Sequence, residues 1–177
     1  PLAANWRLGA SHDFDADGKA DLLWFNTSSR KLVIWLMNGP VKVGTRIPNP
    51  DQAADANWDL AGAADADGDG DADLLWYNQT TGRLVIWTLD GSQVRVSGSF
   101  TDPPSVGSNV WRAVAWGDYG RGLPSAPLGT PDVVWQNDVS KKLVVWYMDF
   151  AGRRVSGGFT TPDVCSLCAG GAVFGPR

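Results

Sequence analysis

Asp65-Ala66-Asp67-Gly68-Asp69-Gly70-Asp71-Ala72-Asp73-Leu74-Leu75-Trp76 sets five acidic residues at alternate positions and follows them at once with an apolar run. Carboxylates packed this closely repel one another unless a positive charge sits among them. The economical candidate is a hard cation held by oxygen. Asp65, Asp67 and Asp69 are spaced to turn inward, and Gly70 can take the positive φ of a sharp turn. Asp71 can offer its backbone carbonyl, and Asp73 can close the shell. This pattern suits calcium, which accepts six to eight oxygens in a forgiving geometry.

The same pattern stands earlier as Asp13-Phe14-Asp15-Ala16-Asp17-Gly18-Lys19-Ala20-Asp21-Leu22-Leu23-Trp24, position for position. Lys19 falls where only a carbonyl is needed, so its side chain can point away. Two calcium sites are therefore expected, one on Asp13, Asp15, Asp17, Lys19 and Asp21, the other on Asp65, Asp67, Asp69, Asp71 and Asp73. An EF-hand is excluded. Its loop needs a bidentate Glu at position 12, and that position holds Trp24 or Trp76, with a strand pattern following instead of a helix.

Around these loops the chain repeats. Unit one spans 5–55, unit two 57–108 and unit three 109–162, with 163–177 as a C-terminal extension. Each unit opens on an Asn and a Trp: Asn5-Trp6, Asn57-Trp58, and Asn109-Val110-Trp111. Each continues with an apolar-aromatic run ending in Asn26, Asn78 or Asn137, then a polar turn, then Leu-Val-Ile-Trp35, Leu-Val-Ile-Trp87 or Leu-Val-Val-Trp146. A last polar strand follows at 41–47, 93–100 or 153–159. β-Branched and aromatic runs bounded by Gly, Asn, Asp and Ser read as strands, and no stretch holds a helical period. The fold class is all-β, with three four-stranded repeats as β-propeller blades. A blade cannot bury both faces alone, so neighbours must stack on it.

The motif Asp-x-Asp-x-Asp-Gly-x-x-Asp-Leu at 13–22, and its variant at 65–74, resembles the FG-GAP and VCBS repeats of extracellular β-propellers. That family includes integrin α-subunit heads and some fungal and bacterial lectins. The resemblance implies that the loop joins the first two strands of a blade and binds calcium. Unit three departs from the pattern. It keeps Asp118 and Asp132, loses the middle acids and gains a Pro-rich insertion at 123–131, so no calcium is expected there.

Three blades are too few to close a ring, since propellers typically have four to eight. A homo-oligomer, a partner-completed propeller and a fragment of a longer array all satisfy this, and ring closure by oligomerisation is the expectation carried forward. The tail at 169–174 reads as a strand completing a neighbouring blade.

With 177 residues and 44% hydrophobic content, the chain can bury a substantial core. The net charge of −4 is what two divalent cations would neutralise, and no basic patch points to nucleic acid. No apolar run reaches membrane-spanning length. Pro1 without an initiator Met reads as a processed or trimmed chain, and the calcium loops point outside the cytoplasm, to a secreted or cell-surface protein. In that compartment Cys165 and Cys168 read as a short-loop disulfide.

Nine of the 10 Trp occupy repeat positions and are expected in the core. Trp116 stands outside that framework and is the candidate for stacking on a sugar. Asn26, Asn78 and Asn137 are expected to shape hairpin turns. His12 lacks a nucleophile partner, and the paired acids are better used by metal, so no enzyme is expected. The functional expectation is a calcium-stabilised extracellular recognition module, lectin-like and binding carbohydrate. The alternative is a non-enzymatic assembly subunit binding another extracellular protein.

Overall fold

The structure, a computed structural model, describes residues 4–108, 110–120 and 127–161. Asn109, the first part of the insertion, Cys165, Cys168 and the extension at 163–177 lie outside the described residues. The described chain is twelve strands in three antiparallel sheets of four, with no helix among them. The first sheet is β1 (Trp6–His12), β2 (Asp21–Asn26), β3 (Leu32–Asn38) and β4 (Val41–Arg46). The second is β5 (Trp58–Ala64), β6 (Asp73–Asn78), β7 (Arg83–Leu89) and β8 (Arg95–Ser105). The third is β9 (Trp111–Gly117), β10 (Asp132–Asn137), β11 (Leu143–Met148) and β12 (Arg154–Phe159). Within each sheet the strands follow chain order, as in a propeller blade.

Local chemistry places the turns. Asn26 Oδ1 accepts from the amides of Ser28 and Ser29, Asn78 Oδ1 from Thr80 and Thr81, and Asn137 Oδ1 from Val139 and Ser140. The repeated Asn thus closes the same hairpin three times, as the sequence implied. Each first strand carries a one-residue bulge, at Gly9, Ala61 and Val114. β1 lies beside β5, and β5 beside β9, so the first strands form the inner wall of the stack.

Two apolar seams hold the blades together. In the first, Leu23, Phe25 and Ile34 of blade 1 pack on Leu60, Leu74 and Trp76 of blade 2. In the second, Leu75, Tyr77 and Ile86 of blade 2 pack on Val133, Trp135 and Trp146 of blade 3. An aromatic edge meets a tryptophan each time, Phe25 to Trp76 at 5.9 Å and Tyr77 to Trp135 at 6.1 Å. A second indole backs each first one, in the pairs Trp24–Trp35, Trp76–Trp87 and Trp135–Trp146 at 5.0–5.1 Å. Lys42, Arg95 and Arg154 on the fourth strands lie over the second indoles at 4.9–5.3 Å.

Position in the stack, not local sequence, decides burial. β6 is buried at every residue, while the matching β2 alternates between buried and half-buried. Leu74 is fully buried, and its register equivalent Leu22 is half-buried. Leu74→Ala is therefore expected to cost about 2–5 kcal/mol of stability. Leu22→Ala in dilute protein is expected to cost about 1 kcal/mol. Urea denaturation checks both, and equal costs would refute the stacking order.

Candidate functional site

The β1–β2 and β5–β6 connections are the two Asp loops. The carboxylates of Asp13, Asp15 and Asp21 bring one oxygen each within 4.8 Å of the others, and Asp65, Asp67 and Asp73 do the same. The backbone wraps around the first acid of each loop. Asp13 accepts from the amides of Asp17 at 3.2 Å and Gly18 at 2.7 Å. Asp65 accepts from Gly68 at 2.8 Å and Gly70 at 3.0 Å. Gly70 has φ +93°, the left-handed turn for which its sequence position called.

The last acid of each loop is fully buried and carries a second duty. Asp21 accepts from Phe14 N at 3.0 Å and Met37 N at 2.8 Å, and Asp73 from Ala66 N at 2.8 Å and Leu89 N at 2.9 Å. Each carboxylate joins its loop to the end of the third strand. Blade 3 keeps this bridge without the acidic loop. Asp132 accepts from Tyr119 N at 2.9 Å, Gly120 N at 2.6 Å and Met148 N at 3.0 Å.

The remaining expected ligands stand apart from these two clusters. Lys19 does not point away from its loop; Nζ turns back onto Asp17 Oδ2 at 2.6 Å. That bond holds Asp17 below the usual carboxylate range and raises Lys19. Asp69 accepts from Asp71 N at 2.8 Å. Loop 2 has no such internal cation. Burial and then the Asp69 charge push Asp67 up; burial, Asp69 and Asp90 do the same to Asp71; and burial pushes Asp73 up to about 6. In loop 1, Asp15 Oδ1 is buried with no hydrogen-bond partner. An all-oxygen donor set with an orphaned carboxylate oxygen fits a hard divalent cation, which would hold these acids ionised.

Residues 13–76 match the family model of the FG-GAP-like repeat. This stretch is an FG-GAP-like repeat. The match begins at the first acid of loop 1 and ends just beyond the last acid of loop 2, so it takes in both clusters and the strands between them. FG-GAP repeats often bind calcium and are typical of extracellular recognition proteins, and the two Asp clusters can hold a metal. Comparison with curated proteins and with solved structures gives no match.

Each loop of the FG-GAP-like repeat is also held from the next blade. Gln93, in the β7–β8 turn, donates to the Phe14 carbonyl of loop 1, and Arg46 donates to Gln93 Oε1 at 3.0 Å. In blade 3 the β11–β12 turn lays the Phe150 ring against Gly68 of loop 2. Loop order and blade stacking are therefore coupled.

A groove of about 250 Å³ opens between blades 2 and 3, with Asp59, Tyr77, Gln79, Arg112 and Asp138 on its walls and Leu60 among its apolar lining. Gln79 Nε2 donates to Asp59 Oδ2 at 3.1 Å, and Arg112 pairs with Asp138 at 3.3 Å. Between blades 1 and 2 the corresponding space is filled. There the guanidiniums of Arg7 and Arg30 lie over the Phe25 ring at 4.9 and 5.6 Å, and both reach Asp59, at 2.5 and 4.0 Å. Asp59 and Gly82 stand where blade 1 has Arg7 and Arg30, and this exchange of long side chains for short ones leaves the groove open. Those two departures from the repeat were the sequence signal for this site, and reading the repeats for their common features passed over it.

Trp116 is a correction. It is 9% exposed, belongs to the second seam and donates its indole N–H to the Pro131 carbonyl at 3.2 Å. It sits on β9 opposite Val133, where close approach to Gly62 packs it inward, so its ring is core and not a sugar platform. His12 Nδ1 lies 3.1 Å from the Asp13 carbonyl, beside loop 1.

Asp132 tests the carboxylate bridge apart from any metal. Asp132→Ala strands two buried backbone amides, of Gly120 and Met148, and the half-buried amide of Tyr119, and is expected to lower stability by about 2–5 kcal/mol. Asp132→Asn, which keeps an acceptor oxygen, is expected to lose less. Chemical denaturation of both variants checks the order.

Proposed function

We propose that this chain is a non-enzymatic, calcium-stabilised extracellular recognition module that binds a neutral carbohydrate in the groove between blades 2 and 3. The observation that carries this reading is the groove's wall chemistry. Carboxylates accept from sugar hydroxyls, and the Arg112 guanidinium and the Gln79 amide donate to them. Both acids are already paired with arginines, Asp59 with Arg7 and Asp138 with Arg112, which favours a neutral ligand over an ionic one. In this reading the metal is structural. Asp13, Asp15 and Asp21 hold one calcium ion, and Asp65, Asp67 and Asp73 hold the second.

A glycan array, run in calcium and again in chelator, tests the recognition. Binding to a defined neutral sugar, lost in Asp138→Ala and Gln79→Ala with the melting temperature unchanged, is the expected outcome. Silence from folded protein in calcium would refute it.

The metal assignment has its own measurement. Saturating calcium is expected to raise the melting temperature, since a ligand at about 100 times its Kd adds about 2.7 kcal/mol to the state it binds. Asp15→Asn and Asp67→Asn are each expected to remove one of two binding events in a calorimetric titration. Identical melting in calcium and in chelator would sink the assignment.

A further inference from the structure

The connection from β4 to β5 leaves a slot against blade 2. Its volume is about 140 Å³, and its walls are Ala53 of the connection with Trp58, Trp76, Val85 and Trp87 of the blade. Arg95 of β8, itself exposed, lines it as well. The connection is pinned to blade 1 and not to the slot. Leu32 N donates to the Asp51 carbonyl at 2.7 Å, Ala53 N to the Arg30 carbonyl at 3.3 Å, and Lys31 Nζ pairs with Asp51 at 3.0 Å. The slot is therefore preformed.

In the next repeat the same place is filled. Gln52 pairs with Lys31 where Ser105 pairs with Arg83, so Val106 is the counterpart of Ala53. Val106 and Trp111 both pack on the second seam, and the Phe159 ring lies 6.4 Å from Trp111. In blade 2 the position of Phe159 belongs to Phe100, which faces Val85 as Phe159 faces Val144. Phe100 stands under the Arg83 guanidinium at 4.9 Å and makes no ring pair with Trp58 among the described residues. An alanine in place of a valine, and a phenylalanine that does not reach the first tryptophan, leave the slot open.

We propose that this slot binds a small carboxylate carried on an apolar ring. A cavity of about 150 Å³ takes a benzene ring, so the volume admits one six-membered ring. Three indoles and Val85 would leave the hydroxyls of a sugar unpaired. The charged group on the lining is Arg95, whose guanidinium lies over the Trp87 ring at 4.9 Å. Among the described residues that guanidinium has neither a hydrogen bond nor an ion pair. Its counterpart Arg154 does donate, to the Ser156 carbonyl at 3.2 Å. A guanidinium only donates, and a carboxylate is the acceptor that matches it in charge and in fork geometry. A cationic ligand of the same size is repelled. The slot shares no residue with the groove between blades 2 and 3, so neither reading depends on the other.

Titration of the full chain with benzoate, followed by ligand-observed NMR, tests this, with circular dichroism confirming the fold of each variant. Saturable binding with a Kd of about 1 mM or tighter is expected. Benzyl alcohol, the same ring without the charge, is expected to bind at least about tenfold more weakly, and so is benzoate to Arg95→Gln. Ala53→Val, which restores the side chain found in the next repeat, is expected to abolish binding without lowering the melting temperature. Arg95 is exposed, so Arg95→Gln decides the matter even if Ala53→Val does not fold. Folded wild type that shows no saturation up to about 10 mM benzoate would overturn the inference. So would binding that survives Ala53→Val or is unchanged in Arg95→Gln, since the ligand would then sit elsewhere, or benzyl alcohol that binds as tightly as benzoate.

Discussion

A carboxylate buried between a loop and a strand end is the constraint on which each blade depends. Asp21, Asp73 and Asp132 occupy the first residue of the second strand, at 0–1% exposure, and each accepts backbone amides from the connection before it and from the end of the third strand. An unpartnered carboxylate at that depth would be costly, and so would the amides it satisfies. The three-way tie fixes where the first connection turns and how the second and third strands end. In blades 1 and 2 the same acid stands within reach of two more carboxylates, so a structural bridge doubles as one wall of a cation site. Blade 3 keeps the bridge on Asp132 without the acidic loop, which separates the two duties.

The loops and the seams are one mechanical system. A loop that is ordered presents the Phe14 carbonyl to Gln93, or the Gly68 backbone to Phe150, and so receives the turn of the next blade. The seams themselves are aromatic edges on indoles, with the small residue Gly9 admitting the Leu60 side chain. Cation binding in the loops would therefore act on blade stacking as well as on local order. The groove between blades 2 and 3 depends on the same stacking, because its two walls belong to different blades. A recognition site built this way keeps its shape only while the seam beneath it holds.

The sequence by itself determined the blade. Alternating acids, the Asn-closed hairpins and the paired tryptophans recur in register, and each acts through neighbours a few residues away or through the adjacent strand, so the four-stranded unit and both Asp clusters were legible in it. Tertiary structure alone decided which copies of the same residue are buried. Trp76 and Trp24 have nearly the same local sequence, and only the presence of a blade in front separates them. It also decided that Trp116 is core and that the open groove lies at Asp59 and Asp138. Those properties arise between blades, where side chains some 50 residues apart meet, and a repeat read for what its copies share is blind to the places where they differ.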